Sequence, residues 1–200
     1  MYSYGKGLIF GFHGCDIKTA KKVINLQEPL KSSSNDYDWL GNGIYFWENS
    51  PVRALEFAKE LQLKSKIEQP CVLGAVIQLG NCLDLLDYQN LQIVKTGFKI
   101  LEFSYDKQKK PLPQNKKVGT SNDLMLRRLD CAVIETIHAI GKPSNFSSFD
   151  SVRGVFLEGQ ELYPNAGFRE KDHIQICIRN PNCIKGFFYA RENDNKFEIV

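Results

Sequence analysis

No apolar run in the sequence approaches the roughly 20 residues that a membrane span needs, so the chain is expected to be soluble, with no membrane partner. Histidine is scarce: there are three, and none falls in an H-x-x-x-H or H-E-x-x-H spacing. None of the six cysteines forms a C-x-x-C pair. A structural or catalytic zinc site is therefore without support, and no metal is expected. Cys15, Cys71, Cys82, Cys131, Cys177 and Cys183 are scattered, several inside apolar runs such as "DCAVIE" and "QICIRN", which reads as buried thiols in a reducing cytoplasm. No G-x-G-x-x-G follows a strand pattern and no internal repeat is present, which removes a Rossmann nucleotide site. The opening "MYSYGKGLIFGFHG" lacks a long apolar region with a small-residue cleavage site, so a cytoplasmic location is expected.

What is present fits one domain, expected over residues 1–200: 42% hydrophobic and 24% charged residues are enough to fill a core and keep a polar surface. "KGLIFGFHG" reads as a strand, and "DIKTAKKVINL" as a helix with Asp16 at its N-cap. "GIYFWE" is a second strand, and "SPVRALEFAKELQLKSK" a second helix with Ser50 as cap and Pro51 in the first turn. "CVLGAVIQLGNCLDLLD", "SVRGVFLEG" and "HIQICIRNPNCIKGFFYARE" read as later strands, the last broken by a turn at Asn180 and Pro181. "DCAVIETIHAI" is either a buried strand or a short helix. Early helices and late strands favour α+β over a regular βαβ repeat. The net charge is only +3, yet "DKQKKPLPQNKK" gathers five lysines around two prolines. Residues 106–128 are expected to be a basic loop, either simply solvated or meeting phosphate or an acidic partner.

Three pieces carry a resemblance: "FHG" ending the first strand, "GNGIYF" opening the second, and a late strand with polar residues on one face. In this order, over essentially the whole chain, they resemble the ADP-ribosyltransferase superfamily, in its poly-ADP-ribose-polymerase-like, diphtheria-toxin-like branch, as a bacterial toxin-type member. The resemblance implies an α+β fold of split, mostly antiparallel sheets flanked by short helices around a cleft for NAD as co-substrate. It gives His13 a hydrogen bond donated to the adenosine ribose and the main chain of Gly14 a clamp on the nicotinamide carboxamide. Tyr45 would stack under the nicotinamide ring, with Phe57 as a second ring; an electron-rich face attracts a pyridinium. Trp47 is read as core.

The third motif departs from the family, whose glutamate at a late strand start holds the ribose hydroxyl and polarises the acceptor. Here the alternation of "HIQICI" puts His173, Gln175 and Cys177 on one face and Ile174, Ile176 and Ile178 on the other. His173 can act as a base near neutral pH and Gln175 can bind a hydroxyl. Glu158, ending "GVFLE", is the second candidate and Glu170 the third. The activity implied is transfer of one ADP-ribose from NAD to a macromolecule, nucleic acid (RNA included) or protein, in a toxin–antitoxin or phage-defence setting with an antitoxin protein as partner. "LMLRRLD", Lys185 and the lysine segment lean toward nucleic acid. The alternative is a catalytically inactive module of the same fold that holds NAD or an ADP-ribose-like ligand; an RNA 2′-phosphotransferase ranks last for want of cleft histidines.

Overall fold

The computed structural model describes residues 7–118, 123–141, 148–190 and 196–197. Strand β1 (Ile9–Asp16) runs directly into helix α1 (Ile17–Ile24). One carboxylate oxygen of Asp16 accepts from the Lys18 amide at 2.9 Å, and the other accepts from Glu68 and Gln69 at 2.7 and 3.0 Å. The cap thus also fixes the chain that enters the strand beginning at Pro70. Strand β2 (Ile44–Glu48) leads to α2 (Pro51–Leu63), where Ser50 occupies the cap position but its hydroxyl makes no capping hydrogen bond. Strands β3 (Pro70–Ile77) and β4 (Cys82–Asp84) precede α3 (Tyr88–Lys107), capped by Asp87. Two-residue strands β5 (Asn115–Lys116) and β6 (Leu126–Arg127) come next, and then α4 (Arg128–Gly141). Strands β7 (Ser151–Phe156), β8 (His173–Ile178) and β9 (Ile184–Tyr189) complete the fold.

Seven strands form one sheet in the order β4-β7-β8-β2-β1-β3-β9. All neighbours are antiparallel except the β4–β7 pair. The architecture is α+β with a mostly antiparallel sheet. It departs from the expected split sheets, because the ladders connect all seven strands. The connection is weak at one point: β1 pairs with β3 over eight residues, but with β2 only at Gly11↔Glu48 and Phe12↔Trp47.

One face of the sheet carries Cys15, Phe46, Leu73, Ala75, Ile77, Ile176 and Ile178 and is covered by Ala20 and Val23 of α1. The other carries Val152, Phe156 and Cys177 beneath Leu101 of α3 and Val133, Ile134 and Ile137 of α4. On that second face α2 lies against β1 and β3. This packing explains one glycine: a Cβ on Gly14 would stand 2.1 Å from the Ala54 carbonyl oxygen.

One open alternative is settled and two expectations change. "DCAVIETIHAI" belongs to a helix, α4. Residues 106–128, expected as a loop, include the end of α3 and the β5–β6 pair, with 119–122 outside the described residues. The helices are neither all early nor all short, since α3 spans 20 residues where no element was read. Its inward stripe of Val94, Gly97, Phe98, Leu101 and Tyr105 is diluted by outward Leu91, Ile93, Ile100 and Phe103, which flattens the 3.6-residue signal. Arg191 and Glu192, read as the end of the last strand, lie outside the described residues. Among the described residues no helix is long and apolar enough to cross a membrane.

Because the obstacle at Gly14 is backbone, it cannot be relieved by a rotamer change. Gly14→Ala should destabilise the fold by at least the overpacking cost of about 1 to 3 kcal/mol. The urea midpoint checks this; an unchanged midpoint would show that α2 is not seated on β1 as described.

Candidate functional site

The β1–β2 ladder ends at Phe12, and the next residue bridges the gap. His13 Nδ1 donates to the Tyr45 carbonyl at 2.8 Å. Burial pushes the His13 pKa below its ordinary value, with that hydrogen bond opposing. The ring is therefore neutral at pH 7, with the proton on Nδ1 and a lone pair on Nε2. This changes the role the resemblance implies: His13 presents an acceptor, not a donor, to anything beside Nε2.

A groove of about 470 Å³ opens at this end of β1, lined among others by His13, Gly14, Lys18, Lys22, Lys31 and Phe57. Its size lies in the range of about 300 to 1,000 Å³ usual for small-molecule sites. Lys18 pairs with Glu68 at 2.6 Å and Lys22 with Glu28 at 2.8 Å. Both pairs are exposed and cost little to redirect toward an anionic ligand. Three of the four residues expected to hold NAD thus share one concavity, whose wall also carries Lys18, Lys22 and Lys31 beside the carboxylates of Asp16 and Glu28.

The fourth, Tyr45, is placed differently. The register puts its side chain on the opposite pleat face from His13, whose ring lies against Phe46 at 5.9 Å. The Tyr45 hydroxyl donates to Gly41 O at 2.8 Å and accepts from the Leu40 amide at 3.0 Å. Burial raises its pKa. Tyr45 therefore latches the turn before its own strand, and it does not line the groove. Gly41 takes φ +81°, a left-handed conformation that suits glycine.

On β8, His173, Gln175 and Cys177 share the second face, as the alternation requires: their ladder partners are Phe156, Gly154 and Val152. His173 Nδ1 donates to the Lys171 carbonyl at 2.6 Å, and the ring stacks on Phe156 with centroids 5.5 Å apart and sits 6.1 Å from Trp47. Gln175 Oε1 accepts from Trp39 Nε1 at 2.6 Å. Glu158 joins this cluster, with Oε2 2.9 Å from Arg53 Nη2 and 4.0 Å from His173 Nδ1. The first two candidates for the missing glutamate are thus neighbours. Glu170 is exposed in the β7–β8 connection, with Oε2 taking the Gln160 amide at 3.4 Å; it belongs to that loop and not to the cluster.

Burial lowers the His173 pKa, against the Lys171 carbonyl and with help from the Arg53 charge. Burial raises that of Glu158, against Arg53 and Lys171. Both shifts favour the neutral form in a poorly solvated place. Three buried nitrogens in this cluster have no hydrogen-bond partner: Trp47 Nε1, Arg53 Nε and His173 Nε2. Phe57 connects the two regions, lining the groove while its ring meets Trp47 at 5.0 Å. Arg53, Trp39 and Phe156 escaped the sequence reading, and Arg127 entered it only as part of "LMLRRLD". The spacing of Arg53 and Phe57, one α-helical turn apart, was the available signal for the first. The others are brought together by tertiary packing: Trp39 from the turn before β2, Phe156 from β7 and Arg127 from β6.

No family model matches the chain, and no solved structure does. An uncharacterized protein of Methanocaldococcus jannaschii is 24% identical over 197 residues, covering 87% of this chain and 83% of that one.

The lowered histidines have a stability consequence of definite sign. Above about pH 6.5, the unfolded value, both states hold neutral imidazole; as pH falls below it the unfolded chain gains protons that the fold resists, so stability is lost toward the lower folded values. Glu158 acts in the opposite sense, its raised carboxyl favouring the fold as pH drops. The wild-type urea midpoint minus that of His173→Gln should therefore shrink between pH 7.5 and pH 5. A constant difference would contradict a buried neutral His173.

Proposed function

We propose that the chain is an NAD-dependent mono-ADP-ribosyltransferase acting on a macromolecular acceptor. One observation carries the reading: the three motif-bearing strands are adjacent in the order β8-β2-β1, and at the end of β1, where its ladder with β2 gives out, a groove gathers His13, Gly14 and Phe57. NAD, when bound, supplies an ADP-ribosyl group whose glycosidic bond to nicotinamide is breakable. His13 Nε2 accepts from a ribose hydroxyl, Phe57 stacks on a flat heterocycle, and the lysines meet the diphosphate. His173, neutral at physiological pH, takes the acceptor's proton as its nucleophile bonds to the ribose carbon, and nicotinamide leaves with the bond electrons. Gln175 holds a hydroxyl through its amide nitrogen, its oxygen being committed to Trp39. Glu158 keeps Arg53 in place beside His173.

A second reading, a module of the same fold that binds NAD or an ADP-ribose-like ligand without chemistry, is favoured by one feature. His173 is only 8% exposed, and the Phe57–Trp47 ring pair lies between it and the groove.

Calorimetry and nicotinamide release separate the two. His13→Ala and Phe57→Ala should each weaken NAD binding by about 1 to 3 kcal/mol, the loss of a buried anchor. His173→Ala should retain binding while release in the presence of cell extract falls by about 10²- to 10⁴-fold, as for loss of a general base. The wild-type rate should reach half its maximum on the acid side below about pH 6.5, following the lowered pKa. Wild-type binding without release favours the module; no binding at millimolar NAD removes both.

A further inference from the structure

The charge on this chain is segregated in a way its total conceals. Residues 95–117 hold seven lysines against Glu102 and Asp106, net +5 in a chain of net +3, so the remainder is acidic. All seven lysines are exposed. On α3 the residues Lys95, Lys99, Phe103 and Lys107 follow one another at four-residue spacing. They form a stripe about 18 Å long at 1.5 Å per residue, turned away from the buried Gly97 and Leu101. Phe103 is 61% exposed, and Lys107 Nζ stands 4.5 Å above its ring. The chain then continues through Lys109 and Lys110 to Lys116 and Lys117.

This surface leads to the candidate site. Lys116 of β5 pairs with Leu126 of β6, and Asn115 with Arg127. The Arg127 guanidinium lies over the rings of Trp39 and Phe156, at 4.9 and 4.6 Å, and Phe156 stacks on His173. Asn115 also fixes the start of α4, its Oδ1 accepting from the Leu129 amide at 2.9 Å and its Nδ2 donating to Asp130 at 2.9 Å. The basic strip is therefore braced against the wall that carries the third motif.

We propose that α3 and the lysine segment after it form a docking surface for single-stranded nucleic acid, the acceptor presented to the His173 cluster. Lysine is depleted at protein–protein interfaces but is a principal partner of phosphate oxygens. A solvent-exposed ring among cations is the platform on which an unpaired base stacks, which a duplex cannot offer. The delivery step rests on the transferase reading; binding itself does not.

The test is fluorescence anisotropy on the full chain with a labelled 20-nucleotide single-stranded RNA across a salt series, without NAD. Lys95→Gln/Lys99→Gln/Lys107→Gln should weaken binding at least tenfold and flatten the log K against log salt slope by roughly 2, at about 0.7 for each phosphate that a lysine neutralises on a single strand. Phe103→Ala should cost about 5- to 100-fold, the loss of one stacking ring. The charge-matched Lys59→Gln/Lys64→Gln/Lys66→Gln variant should bind like wild type. Three results overturn the proposal: no binding at 50 mM salt, equal loss in the charge-matched control, or poly-glutamate bound as tightly as RNA with no dependence on Phe103, which would indicate an acidic protein. RNA binding without NAD binding would sink the transferase reading and leave the surface standing. NAD turnover without RNA binding would do the reverse.

Discussion

The hydrogen bond from His13 Nδ1 to the Tyr45 carbonyl stands where the central ladder of the sheet gives out. A strand pair buried on both faces ordinarily continues its ladder, because unpaired main-chain groups there are costly. Here β1 and β2 stop pairing after Phe12, and an imidazole takes the carbonyl that the ladder leaves. That substitution lets α1 and α2 approach β1 from opposite sides without closing the space between them. It also fixes the tautomer of His13, so the bond that holds the opening decides what the opening can recognise.

The second region is governed by desolvation. His173 is packed against Trp47 and Phe156 with Glu158 and Arg53 beside it, and the neutral forms of the carboxyl and the imidazole gain from the burial. Partner-free nitrogens on Trp47, Arg53 and His173 represent unused hydrogen-bonding capacity, which native interiors rarely tolerate without reason. A transferase would use that capacity on the atoms it handles. The opposite sheet face offers a contrast: Arg153 bonds Glu48 at 2.6 and 2.9 Å and Asp84 at 3.0 Å, so each guanidinium nitrogen has a carboxylate partner and the group ties β2, β7 and β4 together.

Much of the strand layout was readable because local rules were obeyed. Asp16 caps α1, Pro51 opens α2, and the alternation of "HIQICI" separates His173 from Ile174 as the pleat demands. Helix α3 was not readable, because Leu91, Ile93, Ile100 and Phe103 interrupt its exposed lysine-bearing side with apolar residues. The direction of Tyr45 was hidden for another reason: a motif names a residue but not the parity of the register, and one step along β2 moves a side chain to the other face. Likewise the grouping of Glu158 with His173 depends on the β7–β8 pairing, which no spacing in the sequence encodes.

The central claim is that the groove at the end of β1, where its ladder with β2 gives out, receives NAD beside a neutral, Nδ1-protonated His13. Nuclear magnetic resonance of the isotopically labelled chain at neutral pH, titrated with NAD, tests both parts at once. The account predicts an imidazole ¹⁵N pattern for His13 with the proton on Nδ1, and NAD-dependent shifts concentrated at the His13 ring, the Gly14 amide and the Phe57 ring. A protonated or Nε2–H imidazole, or shifts that bypass these three residues at saturating NAD, would contradict it.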